Sequence, residues 1–145
     1  MKHAKFRLLL DEISDCYVEQ DFGKFCRNVQ LPLDLITRTG LVSLRSEDEL
    51  EQNFSTYIDL MAASQLSQIV RTEVGLEQCD EENWIGTYDT DLLRKGTRIS
   101  PRYRSSMLMR WESGKFRASS ILNARGHSDW MRMADRYCGA DREVA

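Results

Sequence analysis

Between residues 4 and 20 the apolar positions Phe6, Leu9, Leu10, Ile13, Cys16 and Tyr17, closed by Gln20, recur at three- and four-residue steps, while Lys5, Arg7, Asp11, Glu12, Asp15 and Glu19 mostly fall between them. That spacing puts one stripe along a 3.6-period helix. Asp21 can cap a second, short helix whose Phe22, Phe25, Cys26 and Val29 share a side, with Pro32 expected to end it. Leu35-Ile36-Thr37 and Leu41-Val42-Ser43-Leu44 flank a Thr-Gly pair and predict a hairpin with Gly40 in or beside its turn. Ser46 followed by Glu49 is a capping box, so a third helix should start there, carrying Leu50, Phe54, Tyr57, Ile58 and Met61 to about Ser64.

Beyond residue 67 the period drops to about two. Val70, Thr72, Val74 and Leu76 alternate with Arg71, Glu73 and Glu77; Trp84, Gly86, Tyr88 and Thr90 alternate with Ile85, Thr87 and Asp89. Tyr103, Ser105, Met107, Met109 and Trp111 alternate with Arg102, Arg104 and Arg110, and Glu112-Ser113-Gly114-Lys115 turns the chain into Phe116–Ala124. Four long strands thus follow three helices, an α+β arrangement. No internal repeat or composition break marks a linker, so residues 1–145 are expected to form a single domain with a polar C-terminal extension from about Arg125, ending in a short helix or frayed tail around Trp130–Tyr137.

Composition narrows the options without naming one. A chain of 145 residues, 41% hydrophobic and 30% charged, can bury a core unaided. A formal net charge of −3 and a pI near 5.4 give no overall attraction to nucleic acid or to an anionic membrane. Apolar runs are only a few residues long, against the roughly 20 a membrane-crossing helix needs. The basic N-terminus passes straight into Asp11, Glu12 and Asp15 without the apolar stretch of a secretory signal, so a cytoplasmic protein is expected. Cys16, Cys26, Cys79 and Cys138 never form C-x-x-C and read as reduced thiols.

The order helix, short helix, hairpin, capped helix and long-stranded meander is similar to that of the nuclear transport factor 2-like superfamily, which includes ketosteroid isomerases and SnoaL-like cyclases. The resemblance covers about residues 4–124 and also rests on Tyr17-Val18 late in the first helix, Asp21-Phe22 entering the second, and Gly40, Leu41 and Arg45 approaching the third. It implies a cone: a curled antiparallel sheet packed against three N-terminal helices, enclosing a mostly apolar pocket, often dimerised through the outer sheet. It implies no activity, because enzymes, binding proteins and interaction modules share the fold.

Steroid isomerases of the superfamily use a carboxylate base, a helix-one tyrosine and a protonated aspartate. Here Tyr17 stands at the tyrosine position, but the two acids fall near Thr37 and Met107, which cannot move a proton. The histidine–aspartate pair of related dehydratases has only His127-Ser128-Asp129 as a match, past the last strand in a Gly-flanked loop, where an ordinary exposed histidine is expected. The two histidines and four cysteines have no metal-ligand spacing, Asp80-Glu81-Glu82 lacks the alternation of a calcium loop and reads as a hairpin turn, and no phosphate-binding loop or nucleophile elbow occurs. No catalytic residue, metal or cofactor is assigned.

Arg94, Lys95, Arg98, Arg102, Arg104, Arg110, Lys115 and Arg117 form a basic set. No basic residue stands between 72 and 93, where Glu73, Glu77, Asp80, Glu81, Glu82, Asp89 and Asp91 accumulate. Pairing across strands on the outward face accounts for both sets without nucleic acid. What remains is a face of Trp84, Tyr88, Met107, Met109 and Trp111, with Tyr17 opposite and Ser119 and Asn123 as polar anchors. An apolar lining with few polar groups is the make-up of a small-molecule site and equally of a core. The leading expectation is therefore a SnoaL-like homodimer whose cone holds a small apolar or aromatic ligand. The alternatives are an isomerase, cyclase or dehydratase using Tyr17 with Asp34 or Asn123, and a module whose sheet recruits another protein.

Overall fold

The first helix, α1 (Lys2–Glu19), buries the stripe its spacing predicts: Phe6, Leu9, Leu10, Ile13 and Cys16 are all sequestered in this computed structural model, which describes residues 1–126 and 129–133. It stops at Gln20, whose φ of 59° puts it in the left-handed region, and the Asp21 N–H donates back to the Cys16 carbonyl at 2.8 Å. Asp21 then caps α2 (Phe22–Asn28), its Oδ1 accepting from the Lys24 N–H at 3.0 Å. The end of α2 differs from expectation. Asn28 turns its side-chain amide onto the Lys24 carbonyl and onto Glu12, and Val29 is already extended, so the helix closes four residues before Pro32. Pro32 lies inside β1 (Val29–Thr37), after a cis Leu31–Pro32 bond.

β1 pairs with β2 (Gly40–Leu44) through a turn of Arg38 and Thr39, with Thr37 opposite Gly40; the glycine's φ of 142° lies where side chains are disfavoured. Ser46 caps α3 (Glu47–Ala63) by accepting from the Glu49 N–H at 3.1 Å, and the Glu49 carboxylate reaches back one residue further than a standard box, to the Arg45 N–H at 2.7 Å. β3 (Gln68–Gln78), β4 (Asn83–Arg94), a two-residue β5 (Thr97–Arg98), β6 (Tyr103–Glu112) and β7 (Lys115–Leu122) follow. Asp80 organises the β3–β4 turn by accepting from the backbone of Glu82 and Asn83, as a hairpin turn should.

The strands form a curled, unclosed sheet in the order β2-β1-β7-β6-β4-β3, with β5 hydrogen-bonded to β4. All pairings are antiparallel except β1–β7, which is parallel. The expected α+β cone is thus present, built on a mixed sheet: the hairpin from the first half of the chain inserts alongside the last strand.

One bulge sets the chemistry of the interior. β3 pairs Glu73 with Tyr88 and Gly75 with Thr87, leaving Val74 without a partner. Directly paired residues share a face, so Ile69, Arg71 and Glu73 lie on the side of Leu92, Thr90 and Tyr88, toward the helices. Glu73 accordingly pairs with His3 and Arg7 on α1 and takes no part in the outward pairing expected of it. Part of the expected outward pairing is present: Arg104 with Asp89, Arg98 and Arg102 with Asp91, and Arg110 with Glu82, at 2.8–2.9 Å, whereas Lys115 and Arg117 reach backbone carbonyls of α2 instead.

Residues 129–133 are helical, matching the short-helix alternative where it is described, but this segment packs onto the domain, since Trp130 and Met133 are buried against Tyr57, Met61, Ile69 and Leu92. Asp129 fixes this segment by pairing with Arg38 in the β1–β2 turn and accepting from the Gly126 N–H. The rest of the expected terminal helix, and His127 and Ser128, lie outside the described residues. No helix among the described residues is long and apolar enough to cross a membrane.

Candidate functional site

The interior of the cone divides into a filled half and an open half. Phe6, from the start of α1, lies in the filled half, wholly buried with Met107, Met109 and Ala118. Trp84 and Trp111 meet Phe116 edge-on at centroid distances of 5.7 and 4.9 Å, and the Lys2 ammonium lies 3.8 Å from the Trp111 ring centre. Six of the residues expected to line a site therefore do not. Trp84, Met107, Met109 and Trp111 are packed in this half, and the other two are taken by the backbone.

Those two are Ser119 and Asn123. A bulge in β7 leaves Ser119 without a partner in β6, and its hydroxyl donates to the Leu108 carbonyl. Asn123 is exposed, with a φ of 60°, and its amide donates to the Arg104 carbonyl at 2.6 Å.

Tyr17 and Tyr88 do meet at the open half. There a cavity admits the centre of a water-sized sphere over about 60 Å³, several times the roughly 10–15 Å³ that one water needs. Tyr17 comes from α1, stacked on Phe54 at 5.0 Å and tilted on Phe25 at 5.4 Å. Tyr57 comes from α3, Tyr88 and Thr90 from β4, Tyr103 and Ser105 from β6, and Trp130 closes the wall from the C-terminal turn. Ile13, Leu35, Met61 and Ile121 supply the aliphatic surface.

Two guanidinium groups join this lining. Arg71, placed on the inner face by the β3 bulge, donates from Nη1 to Ser14 Oγ at 2.8 Å; Arg125 lies over the Tyr103 ring with its Cζ 3.8 Å from the centroid. Among the described residues the lining holds no carboxylate and no imidazole. Asp34, the expected alternative base, sits between Leu33 and Leu35, which face inward; its own side chain belongs to the opposite face, in register with Ser43 and Ser120.

Burial raises all four phenols above their ordinary range. Tyr88 is pushed up to about 12, Tyr17 well above its usual value, and Tyr103 and Tyr57 in the same direction. The Arg71 charge works against burial at Tyr17, Tyr88 and Tyr103, which locates it electrostatically among the three. The phenols are thus neutral hydrogen-bonding groups at physiological pH. Burial also pushes the Cys16 thiol up to about 12, leaving it an inert core residue.

The lining residues that the expected site did not include are of two kinds. Tyr103 and Tyr57 lie in phase with positions read as inward, so periodicity contains them. Arg71 follows only from the bulge, and Arg125 and Trp130 only from the return of the C-terminal segment onto the cone.

No protein-family model matches this chain, and no curated protein matches it. Solved structures do. An NTF-2 like protein of unknown function from Shewanella oneidensis MR-1 superposes with a TM-score of 0.65 at 12% identity, covering 83% of this chain and 97% of that one. A domain of unknown function with a cystatin-like fold from Nostoc punctiforme PCC 73102 gives 0.67 at 12% identity, over 99% and 91%. A type 2 hexachlorocyclohexane dehydrochlorinase, LinA, gives 0.58 at 10% identity, over 82% and 81%. The chain has the nuclear transport factor 2-like fold. Identities this low carry the fold and nothing about activity.

Proposed function

We propose that this protein binds a small molecule inside the cone, in the cavity walled by Tyr17, Tyr57, Tyr88, Tyr103 and Trp130. The observation that carries the reading is the division of the interior: Phe6, Met107 and Met109 close one half, whereas the other keeps about 60 Å³ of space ringed by aromatic side chains with polar tips. Binding is favoured over proton-transfer catalysis because Asp34 faces away from the cavity and the described lining supplies no other base.

The test is a thermal-shift screen of small aromatic and apolar compounds on the full chain. A genuine ligand at about a hundred times its Kd adds roughly 2.7 kcal/mol, or a Tm rise of several degrees. Ala124→Phe, which places a ring in the cavity from its wall, should abolish that rise while leaving a cooperative melt. No shift with any compound, or an equal shift in the filled variant, would overturn the reading.

A second observation favours self-association through the outer face of the sheet. Ile36, Leu122, Ser106 and Thr87 lie in one row across β1, β7, β6 and β4; Ser120, Leu108 and Ile85 lie in the next. Ile36, Ile85 and Leu122 are all more than a third exposed. These two rows carry no charge between β7 and β4, unlike the Asp89–Arg104 region beside them, and suit a matching apolar surface on a second copy. Leu122→Glu should convert a dimer to a monomer in sedimentation velocity; a wild-type monomer at all concentrations refutes this reading and leaves the cavity untouched.

A further inference from the structure

We infer that the ligand of this cavity is a small organic monoanion, a carboxylate with an apolar or aromatic body, whose charged end is held by Arg71 and Arg125 and whose body lies among the tyrosine rings. The inference rests on the reading of the cone as a small-molecule site and names what that site selects.

The argument starts from charge. Arg71 and Arg125 both line the cavity, and among the described residues neither has a carboxylate within 4 Å. Arg98, Arg102, Arg104 and Arg110, by contrast, pair with carboxylates on the outer surface. Glu73, two residues along the same strand face from Arg71, is occupied by His3 and Arg7. Among the described residues Arg71 has instead only the neutral Ser14 hydroxyl as a side-chain hydrogen-bond partner, and the Arg125 Nε is buried without an acceptor.

Two half-buried cations in an aromatic pocket are costly unless an anion balances them. The guanidinium fork matches a carboxylate in geometry as well as charge. The phenols reinforce this preference, since neutral Tyr hydroxyls donate to an anionic oxygen. The apolar half of the lining, Ile13, Leu35, Met61 and Ile121, has no use for a bare inorganic ion and suits an organic body. With about 60 Å³ available to water-sized centres, space for roughly four to six waters by the 10–15 Å³ measure, that body is small.

The experiment is calorimetry and thermal shift on the full chain with benzoate, its neutral isostere benzamide, and inorganic phosphate, at constant ionic strength. Benzoate should bind and raise Tm, with benzamide and phosphate at least about tenfold weaker, the least that losing a charge-assisted pair implies. Arg71→Met should weaken benzoate by about ten- to hundredfold while bringing benzamide closer to it. Arg71→Lys keeps the charge without the fork and should recover part of the loss, and Arg125→Gln provides the same test if Arg71→Met does not fold.

Benzamide binding as well as benzoate would overturn the anion inference and keep the small-molecule reading. Phosphate matching benzoate would overturn the organic body. Absence of binding by all three overturns the inference; the fate of the broader reading is then decided by the neutral compounds and the Ala124→Phe control.

Discussion

Phe6 of α1 packs directly onto Gly86 of β4, and this contact gives the sharpest mutational test of how the cone is filled. A Cβ at this position would lie 2.4 Å from Cζ and 2.5 Å from Cε1 of Phe6, and 2.9 Å from Cε of Met109. Ordinary contact begins near 3.4 Å, so the Phe6 ring would have to retreat by about 1 Å. Phe6 and Met109 are both wholly buried, which leaves neither a free direction.

Overpacking of this kind costs about 1–3 kcal/mol. The restricted unfolded chain of alanine returns roughly 0.4–1 kcal/mol. The clash wins, and Gly86→Ala should lose about 1–2 kcal/mol, a Tm drop of roughly 2–8 °C for a domain near this size. Differential scanning calorimetry of Gly86→Ala, Phe6→Leu and the double variant checks the cause as well as the size. Removing the ring should destabilise the wild type yet relieve the glycine variant, with a coupling on the order of 0.5–3 kcal/mol. An alanine variant as stable as the wild type, or two purely additive effects, would show that the helix does not sit on Gly86 as described.

Three other outcomes follow from the same packing and ion pairs. Trp130→Ala removes a side chain only 2% exposed and should cost roughly 3–5 kcal/mol by chemical denaturation; a near-neutral result would mean that the C-terminal turn does not close the cone. Asp91 is held below the usual carboxylate range by its hydrogen bonds to Arg102, so its contribution is present above the unfolded pKa and is lost as pH falls through the depressed folded value; the Tm gap between wild type and Asp91→Asn should therefore shrink on acidification from pH 5, and a gap that widens refutes the pairing. Tyr88 has the opposite sense: its folded pKa, raised to about 12, lies above the unfolded one, so its burial stabilises fully below about pH 10 and is lost as pH rises toward 12. Ultraviolet titration should show fewer phenolates at pH 11 than the five tyrosines give when unfolded, and a full set in the folded protein would contradict the burial of the cavity phenols.

Much of the fold is local and therefore legible in the chain. The stripe from Phe6 to Cys16, the Asp21 and Ser46 caps and the alternation of Tyr103, Ser105, Met107 and Met109 each depend on residues within a turn or a strand of one another. A helix or strand face is fixed by backbone geometry wherever its apolar members recur at the right step. Helix two shows where that reasoning fails: Pro32 forbids continuation, but Asn28 ends the helix earlier by binding the Lys24 carbonyl and a carboxylate from α1, which is a tertiary contact.

The cavity was decided by tertiary structure. The aromatic and methionine face is one continuous pattern in sequence, and only the lie of Phe6 from α1 divides it into packed core and open pocket. Arg71 appeared to belong with the outward charges until the bulge at Val74 set its phase with Tyr88 and Thr90; an extra residue in a strand inverts the facing of everything on one side of it, and no local spacing announces where that happens. In the sequence Arg125 opens a polar extension and Trp130 a short helix or frayed tail, with nothing to place either on the cone, because their partners, Tyr103 and Tyr57, are distant in the chain. Periodicity reports which side of its own element a residue occupies, whereas a site is made by elements that meet, and that meeting depends on bulges, crossings and returns fixed only when the whole chain packs.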